Sequence, residues 1–141
     1  MNKNNIKPEI EIFDIGMLNF TNYLIKKKLL TPPFFINIIL GNIASAQFDF
    51  VTLGNLLTNV PKHSIVSFGG IGKSQIQSTL AALTIPGIKS IRIGLEDNLI
   101  NYNNNKFLSN YELVKQTNKI CKILDIQIVS PKELRKILNL Y

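Results

Sequence analysis

The densest group of residues able to do chemistry is Arg92-Ile93-Gly94-Leu95-Glu96-Asp97-Asn98. An arginine followed at four and five residues by carboxylates can form a charge-assisted, bidentate pair. The choice of arginine is informative, because the sixteen basic residues divide into fourteen lysines and two arginines. Only arginine carries a rigid planar fork that matches a carboxylate. If Arg92 projects from a strand into an enclosed interior, its charge needs a partner, and Glu96 and Asp97 supply one. Two readings fit this spacing equally: a substrate-facing site, or a structural ion pair closing the end of a strand.

A second stretch, Ser67-Phe68-Gly69-Gly70-Ile71-Gly72-Lys73-Ser74, approximates the phosphate-cradling pattern GxxxxGK[ST] between a strand and a helix. Serine stands at the first glycine position, and no acidic strand of the kind that accompanies a nucleotide site is present. Glycines before a helix can still offer backbone N–H groups to an anion. Ser67, Gly69, Gly70, Gly72 and Lys73 are therefore candidate cofactor-binding residues, and a plain tight turn is the alternative. His63, the only histidine, precedes a strand and so lies at the end opposite the expected site. Cys121 falls on the apolar face of a helix and reads as core. Glu9 and Glu11 share one strand face, and Glu11 or Asp14 could approach a barrel centre or lie at its rim.

The elements that must position these residues alternate. Residues 9–15, 34–40, 64–68 and 90–93 read as strands. Residues 17–30, 48–57, 75–83 and 109–124 read as helices, several stopped by proline or glycine. An asparagine-rich loop covers residues 101–105, and residues 126–129 look like a further short strand. Ser130-Pro131 supplies an N-cap and first helical position for a last helix running to residue 140. Four βα units in succession predict an α/β fold with a parallel sheet. They match half of a (β/α)₈ TIM barrel plus a C-terminal helix, or a small open doubly wound sheet. Ligands in either arrangement sit at the carboxyl ends of the strands, where Arg92 to Asp97 fall.

Composition narrows the classes. The chain has 141 residues, 45% hydrophobic and 18% charged, with a net charge of +7. That is enough apolar material for one core, and too little charge for a disordered segment. No apolar run is long enough to cross a bilayer, and residues 1–7 lack the apolar stretch of a secretory signal. Residues 1–8 are expected to be disordered. A single cysteine forms no internal disulfide, so a reducing, cytoplasmic location is expected. The lysine excess accompanies abundant Asn and Ile, as A/T-rich codons produce. Its tightest cluster, Lys26-Lys27-Lys28, ends a helix, where cations complement the dipole. Neither nucleic acid nor membrane is an expected partner.

Several motifs together resemble one family. They are Pro8-Glu9-Ile10-Glu11, Phe13-Asp14-Ile15-Gly16-Met17-Leu18, Leu40-Gly41, Gly70-Ile71-Gly72-Lys73-Ser74-Gln75 and Arg92-Ile93-Gly94-Leu95-Glu96-Asp97-Asn98-Leu99. In this order they resemble the C-terminal half of the β-keto acid cleavage enzymes, typified by 3-keto-5-aminohexanoate cleavage enzyme of lysine fermentation. The resemblance implies a TIM barrel, a catalytic zinc, and condensation of a β-keto acid with acetyl-CoA to give acetoacetate and a new acyl-CoA. It implies that Glu96 is a zinc ligand, and that Arg92 and Asp97 are catalytic. Asp97 is the better base of the two, since an arginine stays protonated to above about pH 12.

The sequence departs from the family in three places. It has no His-x-His pair for zinc, Lys73 replaces the arginine of the Gly-Ile-Gly-Arg turn, and Asn42-Ile43 replaces a glycine-rich stretch. The chain is thus expected to be half an enzyme, a split or truncated gene product, inactive alone. Its expected partner is an N-terminal half-barrel or a second copy of itself. The competing readings are a non-catalytic remnant or interaction module, and a P-loop-like nucleotide binder.

Overall fold

Pro8 leads into alternating acidic and apolar residues, and these form strand β1 (Glu9–Ile12). Asp14 then caps helix α1 (Ile15–Lys26), its carboxylate accepting from the Met17 N–H at 2.9 Å. The helix stops four residues before residue 30, because Lys28 turns into the left-handed region at φ 59. Strand β2 (Phe34–Leu40) and helix α2 (Phe50–Asn59) follow, the latter capped by Asp49. Strand β3 (Ser64–Gly70) runs two residues past its expected end and leads to helix α3 (Ser74–Thr84). Strand β4 (Ile88–Ile91) begins two residues early. The computed structural model describes the chain apart from residues 2, 3, 5, 102–105 and 141.

The four strands form one parallel sheet in the order β1-β2-β3-β4. One face carries Ile12, Ile36, Ile38, Leu40, Val66 and Phe68, which pack with Leu18 of α1, Leu53 and Leu56 of α2 and Ala82 of α3. Helices α1, α2 and α3 thus pack on one face, as consecutive crossovers in one direction require. A doubly wound sheet needs a reversal of strand order to cover both faces, and this sheet has none. A sequential parallel sheet of this kind is consistent with half of a (β/α)₈ barrel, with β1 and β4 at its edges.

The second half of the chain differs more from expectation. Part of the asparagine-rich segment, residues 102–105, lies outside the described residues. On either side of it, strands β5 (Ile100–Asn101) and β6 (Lys106–Phe107) pair as a small antiparallel hairpin. Helix α4 (Asn110–Ile123) starts with a complete capping box, Ser109 with Glu112, and buries Leu113, Thr117 and Cys121 as its apolar spacing predicts. The stretch 126–129 is not a strand. It pairs with none of the described strands, and Ile128 and Val129 are exposed. Helix α5 (Pro131–Ile137) follows, capped by a second box of Ser130 and Glu133. Of the first eight residues, Lys7 reaches across to donate to the carbonyls of Thr31 and Pro33.

Candidate functional site

The sheet face away from the helices is layered by register. Glu11, Asn37, Ser67 and Ser90 pair across the four strands as one layer. Arg92 follows β4 one layer higher, tied to β3 by its N–H donating to the Phe68 carbonyl at 2.7 Å. Its side chain lies across Gly69, where a Cβ would come within 3.3 Å of the arginine stem. Glycine at this position leaves room for the Arg92 side chain.

From that seat the guanidinium meets three carboxylates. Nε donates to Asp97 Oδ2 at 2.9 Å, and Nη2 donates to Asp97 Oδ1 at 3.3 Å, a forked pair. Nη2 also reaches Glu96 Oε2 at 3.2 Å, and Nη1 donates to Glu11. The Asp97 side chain is only 8% exposed, whereas that of Glu96 is 85% exposed at the rim. The hydrogen bond that Arg92 donates to Asp97, with the carboxylate charges of Asp97 and Glu11, raises the Arg92 pKa above its ordinary value. Arg92 is thus a permanent cation, set among three acidic residues that outnumber it by two charges.

The bond to Glu11 has geometric meaning. Glu11 is on β1 and Arg92 follows β4, the opposite edges of the sheet. Three strand spacings in a flat sheet would separate those edges by about 14 Å. The side chains meet because the sheet curves toward this face. Asn37 and Ser67, in the layer below Arg92, are buried. Asn37 Nδ2 donates to Glu9 at 2.9 Å, which leaves its buried Oδ1 without a hydrogen-bond partner. Glu11 was legible only as an acidic strand residue, since its partner lies 81 residues away.

The glycine-rich stretch is positioned differently from a phosphate loop. Ser67, Gly69 and Gly70 belong to β3 itself, and the turn proper is residues 71–73. The Ile71 N–H donates to the Leu40 carbonyl, and the Gly72 N–H to the Asp97 carbonyl at 2.7 Å. The Ser74 and Gln75 N–H groups donate to Ile71 and Gly72. These four donors are spent inside the fold, and a Cβ on Gly70 would collide with the Ser74 backbone. The structure thus joins the two candidate stretches, with the turn carrying Gly72 backing the loop that carries Asp97. Lys73 is exposed beside it.

His63 occupies an exposed turn before β3, at φ 64, and so lies at the amino end of the sheet as expected. Cys121 is buried and free. Asp14 serves as a helix cap and takes no part in the cluster. Among the described residues, no group of three His, Cys, Asp or Glu side chains could hold a metal ion, and no helix is long and apolar enough to cross a membrane.

The chain is similar in sequence to several known proteins. The 3-keto-5-aminohexanoate cleavage enzyme of Fusobacterium nucleatum is 31% identical over 136 residues, 96% of this chain and 48% of that protein. The 3-dehydrocarnitine:acetyl-CoA trimethylamine transferase of Rhizobium meliloti is also 31% identical, over 96% of this chain and 44% of its own length. The 3-keto-5-aminohexanoate cleavage enzyme of Acetoanaerobium sticklandii is 29% identical over 99% of this chain and 50% of its own. The chain spans about half the length of the curated relatives it matches. The family model for beta-keto acid cleavage enzyme matches residues 1–140. On the strength of that match over nearly the whole chain, this chain belongs to the beta-keto acid cleavage enzyme family.

Proposed function

We propose that this chain is the C-terminal half-barrel of an enzyme that condenses a β-keto acid with acetyl-CoA, giving acetoacetate and a new acyl-CoA. The observation that carries the reading is the fork between Arg92 and Asp97, braced from the opposite sheet edge by Glu11. In this reading Asp97 is the base. The C–H bond α to the keto group breaks, the proton passes to the Asp97 carboxylate, and the electron pair remains on the substrate as an enolate. Arg92 fixes the orientation of Asp97 and offers fixed positive charge where negative charge develops. It cannot act as the base, because its raised pKa keeps it protonated.

Zinc belongs to this proposal only in an assembly. Glu96 extends from the rim as one donor, but a catalytic zinc takes three protein ligands and a water. The residues of this chain do not by themselves fit the metal. A second half supplying a His-x-His pair would complete the set, and that half, or a second copy of this chain, is the proposed partner. The incomplete donor set also favours a second reading, a module that keeps the fold without the chemistry.

One experiment separates the two readings. Zinc titration and an acyl-CoA product assay are run on the chain alone and on the chain mixed with an N-terminal half carrying His-x-His. The enzyme reading expects neither activity alone and both in the mixture. Failure of every docked mixture to turn over keto acid would favour the non-catalytic module. Full activity from the lone chain would overturn the half-site.

A further inference from the structure

The loop bearing Glu96 and Asp97 hangs between β4 and the hairpin, yet it is fastened at two points to the start of α3. The Gly72 N–H donates to the Asp97 carbonyl at 2.7 Å. The Gln75 Nε2 donates to the Gly94 carbonyl at 2.8 Å. That same carbonyl accepts from the N–H groups of Asp97 and Asn98, so it is the pivot on which the acidic turn is wound. Gln75 is 2% exposed. A buried amide is costly unless its polar atoms are paired, so the Gln75 bond is well specified. A Cβ on Gly70 would collide with Ser74, which shows how closely the first turn of α3 sits on the strand end.

From this geometry we infer that Gln75 is a positioning residue, which holds the Gly94 carbonyl and thereby sets Asp97 against Arg92. Its meaning for catalysis rests on the proposed role of Asp97, but the tether can be tested without any substrate or metal. Gln75→Met keeps roughly the length and volume of the side chain and removes the donor. Gln75→Glu keeps the shape and puts an oxygen against the carbonyl.

The measurement is hydrogen exchange of the Arg92 Nε–H in the full ¹⁵N-labelled chain, its resonance identified by loss in Arg92→Lys. Amides of Ile38 and Phe68 in the sheet serve as the fold control. In both variants the Arg92 Nε–H and the Gly72 amide should exchange about tenfold faster, the factor matching one lost hydrogen bond, with the sheet amides unchanged. A merely space-filling Gln75 would leave Gln75→Met indistinguishable from the parent, and that result overturns the inference. So does loss of protection at Arg92 and in the sheet together, or unfolding of both variants. Lack of keto acid turnover in an assembly with the tether intact would bear on the proposed function alone.

Discussion

At the scale of single residues, one guanidinium organises the site. Because Nε and Nη2 address both oxygens of Asp97 while Nη1 faces Glu11, a lysine cannot replace Arg92 by supplying charge alone. In a reconstituted assembly Asp97→Asn should leave zinc affinity intact and lower turnover by roughly 10²–10⁴-fold, the usual worth of a general base. Glu96→Gln should do the reverse, weakening metal retention in a dialysis measurement. Gly69 belongs to the same account. A valine there would press on the Arg92 stem, already 3.3 Å from an added Cβ. Gly69→Val should therefore displace the arginine, read as loss of Arg92 Nε–H protection in the isolated chain.

Among the elements, the ends of helices carry the most specific predictions. The capping boxes of α4 and α5 hold Glu112 and Glu133, whose pKa values fall below the ordinary 4.5, chiefly through the backbone N–H groups of Ser109 and Ser130. A depressed folded-state pKa adds stability that is present above the unfolded value and lost as pH falls through the folded one. Thermal unfolding followed from pH 5 downward should thus show a progressive loss of stability beginning near 4.5 and continuing below it. Glu112→Ala and Glu133→Ala together should flatten that slope. At the start of α3, Gly70→Ala should destabilise the fold by about 1–3 kcal/mol, because the new methyl group meets backbone rather than a movable side chain. Chemical denaturation measures it directly.

For the whole molecule, the decisive feature is an open sheet. Among the described residues, strands β1 and β4 each have one neighbour, and unpaired edges template further pairing. Phe50 and Val51 at the start of α2, with Phe107 and Ile123 in the second half, are more than four-fifths exposed. Exposed apolar side chains add to the tendency of such edges to associate. Sedimentation velocity should therefore show concentration-dependent association of the isolated chain. A cooperative monomer at every concentration would mean that the curved sheet satisfies its own edges.

Much of this was local and therefore legible in the order of residues. The alternation of four βα units, the caps at Asp14, Ser109 and Ser130, and the burial of Cys121 depend on spacing within a few residues. So does the expectation that Arg92, Glu96 and Asp97 act together. One misreading was local as well: residues 126–129 have strand-forming side chains but no partner strand. The short paired strands β5 and β6, on either side of residues 102–105, were not foreseen. What only the tertiary structure decided is non-local. Strand order excluded the doubly wound sheet, since pattern records that strands alternate with helices and is silent on which strands pair. Curvature brought Glu11 to an arginine 81 residues away. Packing committed the glycine-rich turn to holding the acidic loop, because the fate of a backbone N–H is set by whichever carbonyl the fold places in front of it.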